Sequence, residues 1–143
     1  MTTTKIIVID DDTAVTDLLS VLLRSHGFEV QATNNSVEGL SLIKQGNIDL
    51  VILDLMMPEM DGWEICKEVR SFSQVPIIVL SALNDPSMVA SVLDAGADDY
   101  LTKPTPSRIL VAHINRITQR NGNSSESASS NVMTRPARPL TAS

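Results

Sequence analysis

The chain is poor in several things. It has one cysteine, Cys66, so no disulfide within the chain can staple it. Aromatic residues make up 3% of its 143 residues, which leaves little on which nucleic-acid bases could stack. Bases are scarce beside acids, with 11 Lys and Arg against 17 Asp and Glu and a net charge of −6. Contact with a phosphate backbone needs clustered Lys and Arg, so direct nucleic-acid binding by this chain is not expected. Apolar runs are short. Val75–Leu80 is among the longest and falls far below the ~20 residues of a membrane span. No Gly-rich loop follows the first apolar run, which argues against a nucleotide or flavin cradle. The segment Met1–Asp10 has no signal-peptide layout, because acids follow its apolar run at once, and the expected location is the cytoplasm.

What remains is an ordinary globular composition, 43% hydrophobic and 20% charged, in a length suited to about one domain. Residues 1–120 alternate between two patterns. Short β-branched runs at Lys5–Ile9, Phe28–Ala32, Leu50–Leu53, Val75–Leu80 and Ala97–Thr102 predict strands. The first, third and fourth are nearly all apolar, as strands covered on both faces are. Between them lie segments of helical period, such as Val15, Leu18, Leu19, Leu22 and Leu23. Thr13, Ser36 and Asp61 are the expected caps of the first three helices, with Gly27 and Gly46 closing the first two. The fourth helix is expected after Pro86, ending at Gly96, and the fifth after Pro106. Five strands and five helices in strict alternation predict a doubly wound α/β fold, a five-stranded parallel sheet between helix layers.

At Asn121 the composition shifts. Fourteen of the last 23 residues are Ser, Asn, Thr, Pro or Gly, so 121–143 is expected to be a flexible linker or tail behind a domain of residues 1–120.

In parallel sheets ligands sit beyond the carboxyl ends of the strands. The residues expected there are Asp10 and Asp11, Asp54, Ser81 and Ala82, and Thr102 and Lys103. Three acids converging from two strand ends repel one another, and burial sharpens the conflict. A hard divalent cation removes it, and Lys103 and Ser81 add a fixed charge and a hydroxyl donor. A carboxylate, a Mg²⁺ pocket, an ammonium and a hydroxyl together suit phosphoryl transfer to an acid, with Asp54 as nucleophile. Asp12 reads as a helix-start residue and Cys66 as a core residue. Trp63 reads as surface packing. His26 and His113 lack ligand spacing.

The segments Lys5–Asp12, Val51–Gly62, Ile77–Ala82 and Ala95–Pro104 together resemble the receiver domain of two-component response regulators, over about residues 4–120. The resemblance implies a flavodoxin-like or CheY-like fold. It implies that Asp54 accepts a phosphoryl group from a sensor histidine kinase or a histidine phosphotransfer protein. Asp11, Asp54 and the Met56 carbonyl would bind Mg²⁺ or Mn²⁺, with Asp10 acting through water. Ser81, Lys103 and the backbone at Met56 and Ala82 would contact the phosphoryl group. Ser81 and Tyr100 would form the switch, and Lys103–Pro104 would be a cis peptide. Such a chain is not an enzyme on a separate substrate; it assists its own Mg²⁺-dependent phosphorylation and dephosphorylation.

Partners are expected on the face of the fourth helix, fifth strand and fifth helix. Winged-helix regulators of the OmpR type carry bases there to meet an Asp-Asp pair. Here Asp98-Asp99 is present, but Ser91 and His113 stand where the bases are expected, Ile109 replaces a common Glu and Thr105 a common Phe. The expectation is therefore a monomer, or a weak dimer on phosphorylation. The chain reads as the front of a transcriptional regulator cut in its linker, and Arg135–Ser143 faintly resembles the lead-in to a LuxR-type helix-turn-helix. The alternative is a stand-alone receiver signalling by protein contact or phosphorelay. A small Asp-based phosphatase fits less well, since Met56 stands where its second acid would be. A degenerate receiver working unphosphorylated is disfavoured by the intact set of five residues.

Overall fold

The computed structural model describes residues 3–122. Strands β1 (Lys5–Ile9), β2 (Glu29–Thr33), β3 (Leu50–Leu53), β4 (Ile77–Ser81) and β5 (Asp99–Thr102) alternate with helices α1 (Thr13–Ser25), α2 (Ser36–Gln45), α3 (Gly62–Arg70), α4 (Pro86–Asp94) and α5 (Ser107–Gly122). All strand pairs are parallel, in the order β2-β1-β3-β4-β5. This is the doubly wound α/β sheet that the alternation predicts.

Side chains that alternate along the strands fill two cores. Ile6, Val8, Ile52, Ile78 and Leu80 pack with Leu19 and Leu23 of α1 and Leu110, Ile114 and Ile117 of α5. Ile7, Ile9, Val51, Leu53, Ile77 and Val79 pack with α2, α3 and α4 through Leu40, Ile43, Ile65, Cys66, Val69 and Val92. The period-2 geometry of a strand therefore sorts the helices, two on one face and three on the other. Cys66 is fully buried, and burial pushes its thiol up to about 11.

Two cap expectations are corrected. Asp12, not Thr13, caps α1: its Oδ1 accepts from the Ala14 amide at 2.9 Å. Asn35, not Ser36, caps α2, accepting from the Glu38 amide at 2.8 Å. In each case the capping residue has the extended backbone that the role needs, and the expected hydroxyl is the first helical residue. Asp61 caps α3 in a capping box with Glu64. Gly27, Gly46 and Gly96 close their helices with positive φ.

Strand ends shift as well. β4 begins at Ile77 because Pro76 has no N–H for the ladder. Ala97 and Asp98 precede β5 rather than belonging to it, since the Asp98 carboxylate turns back onto the Ile77 amide. β2 begins at Glu29, one residue after Phe28. Asn121 and Gly122 continue α5, two residues past the expected boundary, so the change of composition does not mark the end of the helix. The remainder of the expected linker, with the Arg135–Ser143 reading, lies outside the described residues.

Candidate functional site

The sheet order reverses between β1 and β3, and a crevice opens at such a switch point beyond the carboxyl strand ends. Ile9 pairs with Leu53, so Asp10 and Asp54 leave the sheet side by side. The Asp54 amide donates to the Ile9 carbonyl at 3.0 Å, which ties the two exits together. On the other side, Ser81 pairs with Thr102 and the Lys103 amide donates to the Ser81 carbonyl at 2.8 Å. Register alone thus brings four of the expected residues to one rim. The Lys103–Pro104 peptide is cis.

The structure gathers Asp10, Asp11 and Asp54. One carboxylate oxygen from each lies within 4.8 Å of the others. Asp10 and Asp54 are buried, while Asp11 faces solvent. Lys103 Nζ donates to Asp10 Oδ2 at 2.7 Å and stands 3.7 Å from Asp54 Oδ1. The other oxygen of Asp10 accepts from the Asp12 amide at 3.0 Å. Asp10 is therefore held on both oxygens, and Asp54 is the looser acid.

The electrostatics follow. Burial, then the Asp10 charge, then that of Asp11 raise the Asp54 carboxyl against the opposing pull of Lys103 and the Leu55 amide, leaving it at about 6. Burial alone would lower Lys103. Its hydrogen bond to Asp10 and the charges of Asp54, Asp10 and Asp12 outweigh that, so it stays above the usual lysine range. Hard oxygen donors around one point fit a divalent cation such as Mg²⁺ far better than a soft metal.

Ser81 and Tyr100 make their side-chain hydrogen bonds to Leu83 rather than to this cluster. The Ser81 side chain is buried, and its Oγ accepts from the Leu83 amide at 3.2 Å. The Tyr100 hydroxyl donates to the Leu83 carbonyl. Both expected switch residues thus hang on the backbone of one residue, Leu83, by its amide and its carbonyl, a link that no side-chain pattern in the sequence reveals. Met56, 58% exposed, and Ala82 sit in the loops beyond β3 and β4. Gly62 packs so closely behind Asp54 that an added Cβ would stand 2.8 Å from the Asp54 carbonyl oxygen. Its amide donates to the Leu55 carbonyl at 2.9 Å.

Further polar contacts leave no pattern in the sequence. Asn34, Asn35 and Ser36 reach the loops that carry the acids. His113 and Arg116 both pair with Asp99, and Arg70 pairs with Asp98 at 2.9 Å, so the acid pair is engaged within the chain. The Trp63 indole donates to Ser91 Oγ at 3.0 Å, joining α3 to α4. Among the described residues no helix is long and apolar enough to cross a membrane.

A parallel α/β sheet with acids and a lysine at its switch point defines a CheY-like domain. The family model described as the response regulator receiver domain matches residues 6–115, and the chain belongs to that family. A probable transcriptional regulator, ycf27, of Porphyridium aerugineum is 42% identical over 81% of this chain and 48% of its own length. The DNA-binding response regulator MtrA of Mycolicibacterium paratuberculosis is 38% identical over 82% of this chain and 52% of its own. The crystal structure of a CheY-like receiver domain protein from Methanospirillum hungatei superposes with a TM-score of 0.81 at 27% identity, over 86% of this chain and 99% of that one. The chain spans about half the length of the curated relatives it matches.

Proposed function

We propose that Asp54 accepts a phosphoryl group from the phosphohistidine of a sensor histidine kinase or histidine phosphotransfer protein. The observation that carries this reading is the trio of Asp10, Asp11 and Asp54 within 4.8 Å, with Lys103 bound against it at the switch point of the sheet. Asp11 and Asp54, helped by Asp10 and the Met56 carbonyl, would hold a Mg²⁺ or Mn²⁺ ion. When bound, the ion supplies positive charge that offsets both the crowded carboxylates and the incoming phosphoryl oxygens.

The chain's own residues do the rest. An oxygen of Asp54 attacks phosphorus in line, the nitrogen–phosphorus bond breaks, and its electron pair returns to the donor imidazole. Lys103, fixed by Asp10, holds charge beside the phosphoryl group. Ser81 leaves the Leu83 amide to donate to a phosphoryl oxygen, and the backbone at Met56 and Ala82 lines the group. Tyr100 hangs on the carbonyl of the same residue, Leu83, so moving Ser81 biases Tyr100 and the face of α4, β5 and α5 behind it. Water later hydrolyses the acyl phosphate. The chain is a phosphoacceptor that assists its own turnover, acting in the cytoplasm.

Its half-length match to proteins named as transcriptional and DNA-binding regulators favours a role as the receiver part of such a regulator. Asp98 and Asp99 are already paired within the chain, which supports a monomer or a weak phosphorylation-dependent dimer. The test is intact-protein mass after incubation with Mg²⁺ and phosphoramidate, a nitrogen–phosphorus donor. The wild type should gain one phosphoryl group and Asp54→Ala none. Equal gain in both would overturn the assignment.

A further inference from the structure

We infer that Asn34-Asn35-Ser36, the turn after β2 together with the first residue of α2, is a positioning bracket for the metal site, holding both ligand-bearing loops from one side. The inference rests on the metal reading proposed above. None of the three residues belongs to the acid cluster, and each turns a side chain onto a loop that does.

Asn34 holds the loop of Asp10 and Asp11. Its Nδ2 donates to the Asp10 carbonyl at 2.8 Å and to Thr16 Oγ1 at 3.0 Å. Its Oδ1 accepts from the Thr13 hydroxyl at 3.3 Å. Thr16 is buried and donates in turn to the Thr13 carbonyl at 3.1 Å, so the amide of Asn34 is gripped by the start of α1 while it grips the exit of β1. Ser36 and Asn35 hold the other loop, beyond Asp54. Ser36 is 2% exposed; its Oγ donates to the Pro58 carbonyl at 3.4 Å and accepts from the Met60 amide at 3.3 Å. Asn35 Nδ2 donates to Glu59 Oε1 at 3.3 Å. Glu59 sits at φ 72, a conformation a glutamate rarely adopts, and the bracket grips the loop on both sides of it.

A loop that must present carboxylates and a carbonyl to one ion loses affinity if it wanders, because the ion then has to order it. The two loops are gripped by neighbouring side chains of one segment, so loosening one should be felt in part by the other.

The test is Mg²⁺ binding by calorimetry on the full chain, alongside initial rates with phosphoramidate. Asn34→Ala and Ser36→Ala should each weaken Mg²⁺ binding by about tenfold, the scale set by partners that orient metal ligands. The double variant should bind Mg²⁺ more weakly than either single variant. Thr16→Val, which keeps volume but removes the second partner of Asn34, should weaken binding in the same direction and combine with Asn34→Ala less than multiplicatively. Excess Mg²⁺ should restore the initial rate, a recovery that a merely structural defect would not give. Circular dichroism and cooperative melting without metal establish that each variant is folded. Wild-type Mg²⁺ affinity in both single variants, or a rate deficit that excess Mg²⁺ leaves in place, overturns the inference alone. A folded wild type that binds no Mg²⁺ overturns the metal reading and the inference with it.

Discussion

Asp54→Asn should make the metal-free protein more stable at pH 7.5, although it removes the residue proposed to carry the chemistry. The carboxyl of Asp54 stands at about 6 against an ordinary value of 3.8. Each pKa unit corresponds to about 1.4 kcal/mol, so ionising Asp54 in the folded state costs about 3 kcal/mol relative to the unfolded chain. Asparagine keeps the shape and loses the charge. The site opens to solvent, which screens part of the conflict, and Lys103 loses one of its two acids; the expected net gain is about 1–2 kcal/mol. That corresponds to a rise in melting temperature of roughly 3–8 °C for a domain of this size. The sign follows from linkage. A raised carboxyl leaves the fold unpenalised below pH ~4, where Asp54 is protonated in both states. Stability then falls as pH rises towards 6 and stays lower above it. The gap between variant and wild type should therefore close near pH 4 and be full by pH 7. Melting in chelator from pH 4 to 8 reads it directly. A variant equal to or less stable than the wild type at pH 7.5 would refute the claim that Asp54 is held in electrostatic conflict.

Gly62→Ala should cost about 1–3 kcal/mol and slow phosphorylation, since its Cβ would press on the Asp54 carbonyl and the Leu55 backbone; denaturant melts with donor kinetics check both. Lys103→Ala should accept phosphate poorly while still binding Mg²⁺, and a normal initial rate with phosphoramidate would remove its role. Cys66 should resist iodoacetamide at pH 8 in the folded protein and react once unfolded, because its thiol is fully buried and pushed up to about 11; mass spectrometry counts the adduct. Ile78→Ala should cost about 2–5 kcal/mol by emptying part of the core beneath α5, read by denaturant unfolding.

The sheet, its parallel sense and its helices were legible because strands such as Leu50–Leu53 are apolar throughout and the helices keep a 3.6-residue period. Sheet register then carries Asp10, Asp54 and Lys103 to one place, so strand-end position was a good guide to the cluster. Failures came where side chains compete for the same task. Asp12 and Thr13 can both cap a helix, and so can Asn35 and Ser36. Only the tertiary partners of Thr13 and Ser36, at Asn34 and Pro58, decide which does. Long-range polar contacts leave no periodic trace, so Asn34 to Asp10, Trp63 to Ser91 and Tyr100 to Leu83 were invisible before folding. Asp98 reads as strand from its neighbours, yet its carboxylate is committed to Arg70 and the Ile77 amide.

The central claim is that one particular acid among three crowded carboxylates becomes the acyl phosphate. Borohydride reduces an aspartyl phosphate to homoserine, which tandem mass spectrometry locates by residue. After treatment with Mg²⁺ and phosphoramidate, homoserine should appear at position 54 and nowhere else, and chelation should abolish it. Homoserine at position 10 or 11, or none in folded protein that binds Mg²⁺ and has gained a phosphoryl group by mass, would contradict the account.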